Sequence, residues 1–123
     1  MSKFVSIQTT LKERVFLISA LKQMHCEMLK TKKVKTLLHR VYDVDFAVKT
    51  PFGIVGFIKN KNGEFELAGD DMILKKNSKF IEQLTQKYAY NKVLTEAKKA
   101  GFQLVKETSD TDQSVRLVLR KWS

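Results

Sequence analysis

A chain of 123 residues with 43% apolar residues, one Pro and five Gly has the size and composition of one folded domain, and it leaves no room for a long flexible linker. Lys and Arg number 23 against 13 Asp and Glu, a formal charge of +10, so polyanions are the first partner class to consider. The single cysteine, Cys26, excludes an intramolecular disulfide framework and suits a reducing compartment.

No window of about 18 apolar residues is present, so no membrane span is expected. Polar residues break the opening MSKFVSIQTTLKERVFLISA, so a soluble protein without a cleaved presequence is expected. The positive charge comes from 19 Lys and 4 Arg. Arg is the residue that forks onto phosphates, whereas a Lys excess also arises from the codon bias of an AT-rich genome, so the charge weighs less than its face value.

Residues 3–9 alternate Phe4, Ser6 and Gln8 against Val5, Ile7 and Thr9, the period of a strand. Thr10 with Glu13 matches a capping box, and Leu11, Val15, Ile18, Leu21, Met24 and Met28 recur at helical spacing, which predicts a helix over about 11–29. The Lys run in KTKKVKTLLHR, residues 30–40, interrupts any apolar period, and the segment reads as a basic loop with a short helical or extended piece. Tyr42, Val44, Phe46 and Val48 alternate with Asp43, Asp45, Ala47 and Lys49, which predicts one strand over about 42–49, ended by Pro51.

Asn62-Gly63 lies between GIVGFIKN and the following strand-like run, and this is the pattern of a β-hairpin. Asp70, Asp71, Asn77 and Ser78 mark a polar turn region around Met72, Ile73 and Leu74. A second helix is predicted from a cap at Asn77 or Ser78 to about Ala100, with Phe80, Ile81, Leu84, Tyr88, Val93, Leu94 and Ala97 as its apolar stripe. Gly101 would stop it after Lys98 and Lys99. Residues 102–107 and 115–120 alternate around the polar SDTDQ as a closing hairpin, tied down by Trp122.

The predicted order is β-α-β-β repeated twice across one domain, residues 1–123. That order gives a two-layer α+β fold in which a mainly antiparallel sheet of about six strands carries two long helices on one face. The opposite sheet face would then present Arg116, Arg120, Lys49 and Lys59.

Chemistry finds few candidates. His25, Cys26 and His39 are the only soft metal ligands; His25 and Cys26, adjacent on a predicted helix, diverge by about 100° and do not share an ion. Cys26 with His39 is the one nucleophile–base combination to name, and no motif surrounds either residue. Asp43 with Asp45, and Asp70 with Asp71, read as solvated charge before they read as an acid–base pair or a cation site. The glycines at 53, 56, 63, 69 and 101 are dispersed and form no phosphate loop. No catalytic residue, metal, cofactor or small-molecule substrate is therefore expected, and the chain reads as a non-enzyme.

Lys30, Lys32, Lys33, Lys35 and Arg40 form a cationic segment able to neutralise several phosphates. Tyr88 and Tyr90 lie about 200° apart around a helix; Tyr88 fits the apolar stripe, which leaves Tyr90 as the exposed ring.

The opening MSKF with SIQT, the QKYAYNKV element at 86–93, GFQLV at 101–105 and SVRLVLRKW at 114–122 resemble a family of small proteins encoded by red-algal-type plastid genomes and by cyanobacteria. The resemblance spans the chain and is strongest at its ends. It implies the plastid stroma or a cyanobacterial cytoplasm, with a tie to photosynthesis or organelle gene expression, and it carries no biochemical activity with it. Relatives usually have His where this chain has Asn91, which argues against a catalytic His there, and they are less basic, which argues against nucleic-acid binding as an activity of the whole family. The expected function is a non-enzymatic accessory or assembly protein that binds a larger plastid complex through a basic surface. The other reading is an RNA-binding or ribosome-associated protein using residues 30–40. Lys30, Lys32, Lys33, Lys35, Arg40, Tyr90, Asn91, Arg116 and Arg120 are the expected partner or RNA contacts.

Overall fold

The computed structural model describes residues 3–77, 79–109 and 115–121. Strand β1 (Phe4–Gln8) leads into helix α1 (Arg14–Gln23), and strands β2 (Glu27–Leu29), β3 (Lys33–Lys35), β4 (Val41–Asp43), β5 (Phe46–Thr50), β6 (Gly53–Lys59) and β7 (Phe65–Asp70) follow. Helices α2 (Asp71–Lys76) and α3 (Phe80–Lys99) and strands β8 (Phe102–Ser109) and β9 (Val115–Lys121) complete the order. The α+β class and the antiparallel pairing are as expected.

The main sheet has five strands in the order β1-β7-β6-β5-β2, with every neighbouring pair antiparallel. It is not a sheet of about six strands. The closing hairpin β8–β9 forms as predicted but makes a separate two-stranded sheet, so the twice-repeated β-α-β-β plan does not hold. Residues 110–113 of the SDTDQ turn and Trp122 lie outside the described residues.

Register sorts the sheet into two faces of different character. Phe46 stands opposite Phe57, which stands opposite Leu67, and Val48 stands opposite Val55, so the large apolar residues share one face. Leu17, Ala20 and Leu21 of α1, Leu74 of α2, and Phe80, Leu84 and Tyr88 of α3 bury that face. On the other face Ala47, Gly56 and Ala68 stand in register, a row of small residues. The two-stranded β3–β4 hairpin lies against this row, with Val34, Val44 and Ala47 buried between the layers and Phe4, Leu29 and Ile58 packed around them. The molecule thus has a layer that the two-layer reading omitted. Alternation puts Lys49 on the hairpin side, as expected, but sets Lys59 on the helix side, where its Nζ lies 5.5 Å from the Phe65 ring centre. Arg116 and Arg120 belong to the separate sheet, so neither face of the main sheet carries them.

Helix α1 is shorter than its apolar period suggests. Its end is a Schellman stop: the His25 N–H donates to Lys22 O and the Cys26 N–H to Leu21 O, each at 3.0 Å, with His25 at φ 62°. Cys26 and Leu21, the pair that such a motif brings together, are both buried. Met28, counted on the helical stripe, is on β2 opposite Val48 and still packs against the core. At the other end the Thr10–Glu13 box is absent. Thr9 Oγ1 accepts from the Leu11 N–H, and the Tyr88 hydroxyl accepts from the N–H groups of Lys12 and Glu13.

The single strand expected over 42–49 is two. Between β4 and β5 the chain steps from the hairpin layer into the sheet at Val44 and Asp45, where the Val44 N–H donates to Lys32 O and the Asp45 N–H to Phe57 O. The predicted polar turn at 70–77 contains a helix, because Asp70 Oδ1 accepts from the Met72 N–H at 2.8 Å and caps α2. The second long helix begins at Phe80 with Lys79 at its N-cap, one or two residues later than the predicted caps, and Gly101 (φ 86°) stops it as predicted.

Asp70 is fully buried, and its second oxygen accepts from the Leu37 N–H at 2.6 Å, so one carboxylate joins β7, the start of α2 and the β3–β4 turn. Asp70→Ala should cost about 2–4 kcal/mol in urea unfolding, because it removes a helix cap and leaves a second amide unpaired. Amide exchange at Leu37 should accelerate more than exchange in β5 and β6. A methyl group at Gly56 would lie 2.4 Å from Val44 Cγ1. Gly56→Ala should therefore destabilise by about 1–3 kcal/mol, and adding Val44→Ala should recover part of that loss; a purely additive double variant would refute the contact.

Candidate functional site

The basic segment is extended and forms one strand and both flanks of the β3–β4 hairpin. Its register pairs Lys33 with Asp43, Val34 with Tyr42 and Lys35 with Val41. Alternation sends Val34 into the interface with the sheet and turns Lys33 and Lys35 outward. Lys30, Lys32 and Arg40 are exposed as well, so all five predicted cationic contacts of the 30–40 segment lie at the surface. The Lys33 ammonium meets Asp43 Oδ1 at 2.6 Å, with side-chain exposures of 63% and 85%. An ion pair this exposed adds little stability, but it neutralises one of the five charges locally. The hairpin turn closes through Thr36 and Arg40, with His39 at φ 63°.

The two segments joined by sequence reasoning lie on opposite sides of the sheet. Tyr90 and Asn91 are on α3, which packs on the helix face, whereas residues 30–40 cover the small-residue face. Tyr88 is buried as predicted; Tyr90 is half-buried and is not the exposed ring that its helical angle suggested. Asn91 is a bridge between helices. Its Nδ2 donates to Ser19 Oγ at 3.3 Å and to Gln23 Oε1 at 3.2 Å, and its Oδ1 accepts from Gln23 Nε2 at 3.2 Å. The amide is thus held by two side chains of α1, which accounts for it without an outside ligand. Nearby, Lys92 pairs with Glu13 at 3.2 Å, and that partner pushes the lysine pKa up. Arg116 and Arg120 stand opposite Thr108 and Gln103 in the β8–β9 sheet, and their side chains lie outside the described atoms.

The acid pairs separate. Asp43 engages Lys33, while Asp45 Oδ2 accepts from the Lys59 N–H, so the carboxylates serve different neighbours. Asp70 accepts two amides inside the protein, and Asp71 Oδ1 accepts from the Lys3 N–H. Among the described residues no group of three His, Cys, Asp or Glu side chains could hold a metal ion. Cys26 packs in the helix-side core, and burial pushes its thiol pKa up, which keeps the thiolate nucleophile scarce at neutral pH. His39 is exposed at the hairpin turn on the other face of the sheet, so the Cys26–His39 pair is not assembled.

Sequence reasoning passed over the exposed apolar residues around the hairpin, Leu37, Leu38 and Val41. Two adjacent leucines inside a lysine-rich segment were the available signal. It also read Asp70 as a solvated turn residue, whereas Asp70 is buried, and its place just before Asp71 and the apolar Met-Ile-Leu run fits a helix cap.

The family model described as Protein of unknown function (DUF1257) matches residues 20–118. Relatives described as Uncharacterized protein ycf35 include three that match over nearly the whole chain. That of Pyropia yezoensis is 29% identical over 128 residues, covering 100% of this chain and 99% of the relative. That of Cyanophora paradoxa is 29% identical over 127 residues, covering 99% and 98%, and that of Trieres chinensis is 29% identical over 120 residues, covering 93% of each. These relatives come from the plastid genomes of a red alga, a glaucophyte and a diatom. No solved structure gives a significant match.

Asn91→Ala should lower stability by about 0.5–1 kcal/mol through loss of the α1–α3 bridge, a value readable by thermal or urea unfolding.

Proposed function

The chain belongs to the DUF1257 family, and from that premise we propose that it is a non-enzymatic accessory protein of the plastid, binding a larger assembly through its basic hairpin. The observation that carries this reading is the exposed set of Lys30 and Lys32, in the link that leads into the hairpin, and Lys35, on a hairpin strand whose inward residue, Val34, is locked to the sheet. A rigid backing holds these ammonium groups out, and a partner with an acidic face gains from them without ordering a loop. The chemistry of the interior fits the same reading, since the one thiol and the buried carboxylate are occupied in packing and in backbone hydrogen bonds.

RNA recognition through residues 30–40 is less well supported by the same hairpin. Its aromatic ring, Tyr42, is stacked on Phe4 with centroids 4.1 Å apart, so it is not available to stack on a base. The remaining lysines would bind any polyanion by charge alone.

Lys30→Glu with Lys32→Glu should leave the fold intact and reduce recovery of the native assembly from a plastid extract by about tenfold at moderate salt. Nuclease treatment should not change the recovery. Unchanged recovery by the double variant would remove the hairpin from the interface, and release by nuclease would replace this reading with RNA binding.

A further inference from the structure

Three turns meet at one end of the main sheet. The β5–β6 turn carries Phe52, the β3–β4 turn carries Leu37 and Leu38, and the first turn of α2 carries Met72. Asp70 fixes two of these together: its two oxygens accept from the Leu37 and Met72 N–H groups, so those backbones are no farther apart than one carboxylate can span. The third turn abuts α2, because the position of a Gly53 Cβ lies 3.0 Å from Ile73 Cδ1. Leu38 is 57% exposed, Leu37 58%, Phe52 54% and Met72 41%, so four large apolar side chains from three turns stand open at one end. Apolar residues gathered in this way mark an interaction surface, unlike singly scattered ones.

The surroundings of these residues are basic. Lys35 and Arg40 flank the leucines on the hairpin, Lys49 stands opposite Ile54 beside the Phe52 turn, and Lys75 and Lys76 end α2; all five are exposed. Apolar tips with a cationic rim complement an anionic lipid surface, where the tips enter the headgroup–acyl boundary while lysine and arginine meet lipid phosphates. A bilayer interface accepts tips of unequal height, whereas a protein partner would need a pocket for each.

We propose that this end of the molecule is a peripheral docking surface for an anionic bilayer, with Leu37, Leu38, Phe52 and Met72 as the inserted residues. The surface is separate from Lys30 and Lys32, which lie at the base of the hairpin, and it goes beyond complex binding.

The full chain should co-sediment with vesicles of phosphatidylcholine containing phosphatidylglycerol, much less with pure phosphatidylcholine, and binding should weaken as salt rises. Leu37→Ser with Leu38→Ser should lower partitioning by at least about tenfold, and Met72→Ser severalfold, with circular dichroism unchanged. Lys35→Glu with Arg40→Glu should lower it by about tenfold or more. Val15→Ser, at an exposed position on α1, is the control and should bind like wild type. Absence of binding to the phosphatidylglycerol vesicles would overturn the proposal, as would binding that both apolar variants leave intact, since charge alone would then explain it. Loss of protein co-purification in the leucine variant with no vesicle binding by wild type would likewise overturn it, in favour of a protein partner at this end.

Discussion

A buried carboxylate holds the architecture together. Removing an ionised carboxyl from water costs several kcal/mol unless hydrogen bonds replace the lost solvation, and Asp70 obtains them from the amides of Leu37 and Met72. Those amides belong to a hairpin turn and to a helix start that are 35 positions apart in sequence. The carboxyl group therefore fixes where the hairpin lies on the sheet, where α2 begins and, through α2, where Phe52 stands. An apolar residue at this position could fill space, but it could not set three backbones relative to one another.

The two faces of the sheet show how side-chain size chooses what covers them. Phe46, Phe57, Leu67, Val48 and Val55 present deep apolar relief, and helices with their own Leu and Phe side chains interlock with it. Ala47, Gly56 and Ala68 leave a shallow floor on which a backbone can rest closely, and Val44 sits directly over Gly56. A thin hairpin fits there and a helix has less to grip. The basic charge is then confined by geometry, since a strand covering a sheet must turn alternate residues outward. Lys33 and Lys35 have no inward option while Val34 fills the interface.

Much of this was legible in the sequence where the signal was local. The Asn62-Gly63 hairpin, the Gly101 stop and the closing hairpin all form, because each depends on turn residues or on alternation over a few positions. What escaped depended on partners remote in sequence. His25 takes the left-handed position that glycine usually marks, so the end of α1 carried no flag. The alternation through Tyr42, Val44, Phe46 and Val48 is real, yet it runs across two strands in different layers, and periodicity does not register a change of layer. The cationic residues were found because exposure follows from charge. Their separation from Tyr90 and Asn91 was invisible, since it depends on which face of the sheet each segment covers.

The pairing of β1 with β7 also sets an order of events during synthesis. Phe4 lies opposite Asp70 and Gln8 opposite Glu66, so the first strand has no neighbour in the sheet until nearly 60 further residues have been added. Until then the β5–β6–β7 meander, joined by short local turns, is the part able to form, and an early Phe4–Gln8 segment waits as an unpaired apolar strand. Completion of the β1–β7 pairing and anchoring of the hairpin coincide, because Asp70 is both the last residue of β7 and the hydrogen-bonding clamp. A nascent chain halted before that residue would lack the hairpin anchor and the start of α2 together, although most of β1 could already pair with β7. Residue 70 is thus a threshold in translation as well as a position in space.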